Sequence, residues 1–260
     1  MPTAPQFISI DREGPLTIIT IRRPEARNAL HRAAHDEMAA ALDAFAADDN
    51  QWVAIVTGDG DKAFCAGQDL KSELPTSAAS LPPSGCGGMT SRFDLDKPVI
   101  AAVNGIALGG GFELALACDL IVASSQASFA LPEPRVGLAA LAGGIQRLCQ
   151  EIGMKRAMSI LLTGRRLSAH QAAELGLVAE VVEANVLDCA KRWAAEIISC
   201  APLSVRATKR VARDAAARPL SETVATIWDR PEIAGLLASA DAAEGRSAFA
   251  QKRPPRWQAR

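Results

Sequence analysis

The stretch from Pro98 to Ala123 is the most apolar in the chain, yet Asn104, Glu113, Asp119 and three adjacent glycines, Gly109-Gly110-Gly111, interrupt it. A membrane span would have to hold those polar groups in hydrocarbon, so the pattern argues against one. What fits is a buried strand over Val99 to Val103, a glycine turn, and a helix from about Phe112 to Cys118. The same unit recurs elsewhere. Phe7 to Asp11 and Leu16 to Arg22 flank Gly14-Pro15 as a hairpin, and a helix ending near Ala47 follows. Trp52 to Thr57, Leu120 to Ala123 and Val178 to Val182 are further strands. Repeated strand–turn–helix units imply an α/β core.

After about Val186 the strands stop. Helices are expected over 186–200, 203–217, 221–229 and 242–252, with Pro202, Ser221 and Asp241 as start signals and Pro231 as a break. Ser168 and Gln171 form a capping-box pattern for a short helix ended by Gly176. Such a helical tail buries little surface alone, so it should pack on the core or on another subunit. Leu74 to Gly88, rich in Pro, Ser and Gly, reads as a mobile loop.

Composition narrows the function. Twenty-eight Lys and Arg balance 29 Asp and Glu for a formal charge of −1, which is unlike a nucleic-acid binder's basic face. Aromatics make up 4% with no Tyr, which disfavours a base-stacking surface. The six cysteines show no Cys-x-x-Cys pair and no metal-ligand spacing, so they read as ordinary buried thiols of a reducing compartment. Met1 to Asp11 lack a basic segment followed by an apolar run, so the expected location is the cytoplasm. His31, His35 and His170 read as structural or surface residues, and no metal is expected.

Three segments look unlike scaffold: Phe64 to Leu70, Asn104 to Glu113, and Leu131-Pro132-Glu133-Pro134. Three glycines between strand and helix would leave helix N-terminal N–H groups free to meet a developing anion. They would equally suit a tight turn or close helix–sheet packing. Glu113, in the first helical turn of an apolar sequence, is either a tuned carboxylate or a charge facing water. Glu133, between prolines that favour extended backbone, is either a stiffly held acid or a solvated loop residue.

Taken together, Arg23-Pro24-Glu25-Ala26-Arg27-Asn28-Ala29-Leu30, Lys62-Ala63-Phe64-Cys65-Ala66-Gly67-Gln68-Asp69-Leu70, Pro98 to Asp119, Gly164 to Ser168 and Glu244 to Phe249 resemble the enoyl-CoA hydratase/isomerase (crotonase) superfamily. The resemblance implies a spiral of ββα units over residues 1–190, then a helical trimerisation region over 191–260. Assembly as a homotrimer or dimer of trimers would follow. It implies an acyl-CoA thioester substrate, no cofactor beyond the CoA of that substrate, and no nucleic-acid or membrane partner. By the same resemblance the amides of Ala66 and Gly110 hold the thioester oxygen, and Glu113 and Glu133, twenty residues apart, hold a water. CoA would lie against Arg27, Ala66, Gly67, Gln68, Asp69, Leu70 and Gly110, completed by Phe249 and Lys252 of a terminal helix. Lys252-Arg253 and Arg256 would attract its phosphates, or form no more than a solvated basic end.

A glutamate pair implies reversible addition of water to a 2-enoyl-CoA. Leu141, in Ala140-Leu141-Ala142-Gly143-Gly144, departs from the Pro-Gly-Ala-Gly-Gly of short-chain hydratases and is placed at the acyl pocket. An enoyl-CoA isomerase, or a dehydratase of the carnitinyl-CoA type, is the alternative within the superfamily. A noncatalytic CoA-ester- or RNA-binding relative is the alternative outside enzymes.

Overall fold

Hydrophobic runs too short for helices alternate along this chain with turns, and the computed structural model, which describes residues 5–72 and 77–260, arranges them as two sheets. In chain order the N-terminal part runs β1 (Ile8–Glu13), β2 (Leu16–Ile21), α1 (Arg32–Ala47), β3 (Val53–Gly58), β4 (Ala63–Cys65), β5 (Val99–Val103), β6 (Ile106–Leu108) and α2 (Gly110–Ala117). Next come β7 (Leu120–Ser124), β8 (Ser128–Ala130), α3 (Gly144–Ile152), α4 (Met154–Leu161), β9 (Leu167–Ser168), α5 (Ala169–Glu174) and β10 (Glu180–Val182). Five helices close the chain: α6 (Val186–Ile198), α7 (Pro202–Ala217), α8 (Leu220–Ala225), α9 (Pro231–Ala238) and α10 (Ala240–Ala250).

The larger sheet has the order β1-β2-β3-β5-β7-β10 and the smaller β4-β6-β8-β9. Each successive strand pair, β3/β4, β5/β6 and β7/β8, gives its first strand to the large sheet and its second to the small one. This stepwise repeat is the expected α/β spiral. All bonds from β2 to β10 across the large sheet are parallel. A parallel sheet is covered on both faces. Phe45, Phe64, Phe112, Phe129 and Met38 fill one side. On the other, Ile18, Ile55, Ile100 and Val122 meet Val186, Cys189, Ala190 and Ala194 of α6. The boundary expected at residue 190 therefore falls within a helix that packs on the sheet.

The hairpin forms around Gly14, at φ +58°, and the capping box of Ser168 and Gln171 is complete. Pro231, read as a break, instead opens α9 at its first turn, where the missing N–H costs nothing. Asp241 does not start α10. Ser239 caps it by accepting the Ala242 N–H at 3.0 Å, while buried Asp241 accepts the N–H groups of Gln258 and Ala259 and ties down the C-terminal tail. Likewise α8 begins at Leu220 behind Pro219, so Ser221 lies inside it. Helices α3 and α4 have no counterpart among the sequence expectations. Of the expected mobile loop, residues 74–76 lie outside the described residues, whereas Cys86–Gly88 is a buried turn with Gly87 at φ +59°. All six cysteines are free thiols, and Cys200 is exposed rather than buried.

Candidate active site

Each glycine of the triplet at the head of α2 meets a different constraint. Gly109 sits at φ +52°, outside the helix, and turns the chain from β6. A methyl carbon on Gly111 would stand 2.0 Å from the Cys65 carbonyl oxygen, so only hydrogen fits between α2 and β4. Gly110 lies between them as the first helical residue, where no intrahelical partner exists for its N–H. No described residue accepts that N–H. The turn and packing readings therefore hold for Gly109 and Gly111, while Gly110 leaves its N–H open.

The expected partner of Gly110 needs correction. The Ala66 N–H donates to the Arg27 carbonyl at 3.0 Å and is not available to a ligand. Gly67, at φ +88°, then turns the backbone over. A methyl carbon there would lie 2.6 Å from the Leu108 carbonyl oxygen and 3.0 Å from the Gly110 nitrogen. Beyond this turn, the Leu30 N–H donates to the Gly67 carbonyl at 2.8 Å and the Asp69 N–H donates to the Leu30 carbonyl at 2.9 Å. The flanking groups face Leu30, so by strand alternation the Gln68 N–H faces the other way. It lies 3.7 Å from where a methyl on Gly110 would be and has no acceptor among the described residues. The free pair of donors is Gln68 and Gly110.

Two acids border this pair. Glu113, in the first turn of α2, is 3% exposed, and its Oε1 accepts the Gly144 N–H at 2.8 Å. Burial pushes its carboxyl up to about 7 against the lowering effect of that N–H, and the charge of Glu133 adds to the rise. It does not face water. Glu133 opens a 3-10 turn, Glu133–Val136, rather than extended backbone, because Pro132 sits at φ −83°, ψ 5° and Pro134 suits a first turn. Its Oε1 lies 3.1 Å from the space a side chain on Gly109 would enter. Its Oε2 is buried and has no hydrogen-bond partner among the described residues. Burial raises the Glu133 carboxyl as well. A buried carboxylate oxygen without a partner is costly unless a proton or a ligand supplies one.

The other expected residues divide. Arg27 takes the left-handed conformation at φ 54°, and its side chain is exposed. Asp69 pairs with Arg23, Nη2 to Oδ2 at 2.9 Å, and accepts the Lys71 N–H at 3.1 Å, so it braces its own loop. Leu70 and Leu141 are exposed, the latter by 82%, one residue from Ala142, whose N–H also bears on Glu113. Phe249, 88% exposed, ends α10, whereas exposed Lys252 lies past the helix at φ 51° rather than on it as expected; neither side chain makes a hydrogen bond, ion pair or ring contact among the described residues. Arg253 does not share that freedom. It binds both oxygens of Glu244, at 2.6 and 2.9 Å, and holds that carboxyl down at about 2.

Three nearby residues carried no sequence signal. Cys86 packs its Sγ against Gly110, and burial raises its thiol well above the usual range, with the charges of Glu113 and Glu133 contributing. His35 bonds Gln68. Arg147 donates to the Thr90 carbonyl at 2.8 Å, with its guanidinium over the Phe93 ring. No group of described His, Cys, Asp or Glu side chains is arranged to hold a metal, and no described helix is long and apolar enough to cross a membrane.

The family profile described as enoyl-CoA hydratase/isomerase matches residues 11–260. A carnitinyl-CoA dehydratase of Salmonella paratyphi A is 42% identical over 260 residues, covering 98% of this chain and 99% of its own. That of Citrobacter koseri is 43% identical with the same coverage. Among solved structures, an enoyl-CoA hydratase from Mycobacterium tuberculosis H37Rv superposes with a TM-score of 0.91 at 39% identity, covering 99% of this chain and all of its own. One from Bacillus anthracis gives 0.91 at 36% identity, with 98% and 100% coverage.

Proposed function

The chain belongs to the enoyl-CoA hydratase/isomerase family, and from that premise we propose that it is a hydro-lyase that adds water reversibly across the C2–C3 double bond of a 2-enoyl-CoA. The observation that carries this reading is the meeting of two raised carboxyls, one buried and one half-buried, with a pair of N–H groups that have no acceptor among the described residues. The thioester oxygen would be received by the N–H groups of Gln68 and Gly110, as charge moves onto it from the double bond. Removing one such donor costs on the order of 10²–10³ in rate.

The acid–base work needs one carboxyl ionised and one protonated. Glu113, with Oε1 held by the Gly144 N–H, is suited to the ionised role, since that bond favours the anion. It takes a proton from water as the oxygen bonds to C3. Glu133, whose Oε2 has no protein donor, is suited to hold a proton and deliver it to C2 as the enolate collapses. Run backwards, the same steps remove water from a 3-hydroxyacyl-CoA. The identity to carnitinyl-CoA dehydratases favours a hydroxylated or branched acyl group as a second reading of the substrate. Leu141, exposed one residue from Ala142, would be the side chain to meet such a group. No group beyond the CoA ester is required. An isomerase would use one acid alone, which leaves the second raised carboxyl unexplained.

CoA would lie along the Gln68–Leu70 loop, with Phe249 and Lys252 completing the site from a neighbouring copy in a homotrimer or dimer of trimers. Their exposure in the single chain supports that arrangement. The test is Glu133→Gln. Hydration of a 2-enoyl-CoA should fall by at least about 10³-fold while CoA-ester binding stays within about twofold, as for loss of an acid used only in the transition state. Turnover unchanged in that variant contradicts the reading.

A further inference from the structure

We propose that His35 is a positioning residue for this site, a clamp whose single ring fixes both rims of the donor pair formed by Gln68 and Gly110. The inference rests on the reading given under Proposed function, since it concerns how that site is kept in shape. His35 lies on α1 and is 1% exposed. Its Nδ1 accepts the Gly87 N–H at 2.9 Å. A nitrogen that accepts carries no proton, so in the neutral ring the proton is on Nε2. That Nε2–H donates to the Gln68 side-chain oxygen at 3.0 Å. A backbone donor thus selects the tautomer, and the tautomer dictates the bond to Gln68. Burial lowers the His35 pKa and keeps the ring neutral, so no cation competes for the developing enolate.

Each rim reaches the donor pair directly. On the first, the backbone around Gln68 is pinned to Leu30, and the side chain is held at its oxygen by His35 and at its amide by Ser72 Oγ, 3.4 Å away. With side chain and flanking peptides both tied, the Gln68 N–H has one direction open to it. On the second rim, Gly87 belongs to the turn that carries Cys86. The Cys86 Sγ stands 3.0 Å from where a methyl on Gly110 would be, and its thiol points to the Gly110 carbonyl at 3.7 Å. Behind it, Gly88 is pressed on α1 so closely that a methyl carbon would lie 2.5 Å from the Ala39 Cα. One imidazole therefore couples the loop bearing one donor to the turn that backs the other.

A clamp of this kind acts on the transition state more than on binding, because the donors must meet an oxygen whose charge is still growing. The experiment uses a chromophoric substrate analogue, para-dimethylaminocinnamoyl-CoA, whose absorption moves to the red when its carbonyl is polarised. The wild-type protein should shift it. His35→Asn keeps an acceptor near Gly87 but cannot reach Gln68, and should lose most of the shift and about tenfold or more in kcat, with KM within about twofold. His35→Gln, whose amide can reach Gln68, should recover most of both. Gln68→Ala leaves its own backbone N–H and His35 in place, so it should reproduce the loss, and the double variant should add nothing further. This arm stands even where a His35 variant folds poorly. A full red shift and unchanged kcat in folded His35→Asn, or additive losses in the double variant, overturn the clamp. Failure of the wild type itself to shift the spectrum instead overturns the reading of the site.

Discussion

Glu113 shows most plainly how one residue's burial becomes a measurable property. Its carboxyl, ordinarily near 4.5, is raised to about 7 by burial in the folded chain. The folded state therefore binds a proton that the unfolded chain releases between those values. Below about 4.5 both states are protonated and burial of the charge costs nothing; above 7 the whole cost is present. Glu113→Gln, which keeps an oxygen for the Gly144 N–H, should stabilise the ligand-free protein at about pH 8 by on the order of 3 kcal/mol. That gain should fade as pH drops to about 4.5. Chemical unfolding across pH measures it, and a gain independent of pH contradicts burial as the cause. Glu113 stood out in the sequence as an acid at the start of an apolar helix, but a charge facing water fitted the same letters, and only the fold shows it buried. The donor partner was not: Ala66 and Gln68 are equally plausible as letters, and the backbone reversal at Gly67 decides between them. His35 was illegible for a similar reason, since its partners lie on two distant segments.

Between elements, α6 is fastened to the core by apolar contacts, whereas α7 is held by charge pairs. From α7, Arg206 binds both oxygens of Asp96, each at 3.0 Å. Asp119, which interrupts the apolar stretch between α2 and β7, receives Lys209 at 2.7 Å, Arg213 at 3.1 Å and the Val99 N–H at 2.8 Å. The Lys209 side chain is 8% exposed. Asp119→Ala should leave that ammonium buried without its counter-charge and lower stability by about 3 kcal/mol, as breaking buried pairs does. Urea unfolding reads this directly, and a loss under about 0.5 kcal/mol, typical of exposed pairs, would contradict a buried anchor. The six strands of the large sheet were legible because short apolar runs between turn residues admit little else, whereas β4, β6, β8 and β9, only two or three residues long each, were not. Helix starts were less so. Proline both ends one helix and opens the next, which is why Pro231 read as a break, and a buried acid such as Asp241 can serve the tail instead of the cap.

At the scale of the molecule, the single chain leaves its closing helices unfinished. Leu220, Val224, Trp228, Leu237 and Phe249 are all exposed, Trp228 by 74%. Apolar side chains exposed in this way are what a contact with another copy would cover. Sedimentation should find a multiple of the 27.3 kDa chain, and Trp228→Glu with Leu220→Lys should weaken it toward the monomer. A stable 27.3 kDa wild type would overturn self-association. The repeated units made the α/β core legible and the family resemblance its spiral, and self-association is the expectation that sedimentation decides, whereas the acyl group is written in neither, because Leu141 faces out and its contacts depend on the ligand. Water addition leaves an isotopic trace, which solvent enriched in heavy oxygen reveals. Incubated with a panel of 2-enoyl-CoA esters, the protein should place one solvent oxygen on C3 and one solvent hydrogen on C2. Movement of the double bond with no solvent oxygen in any product would contradict it.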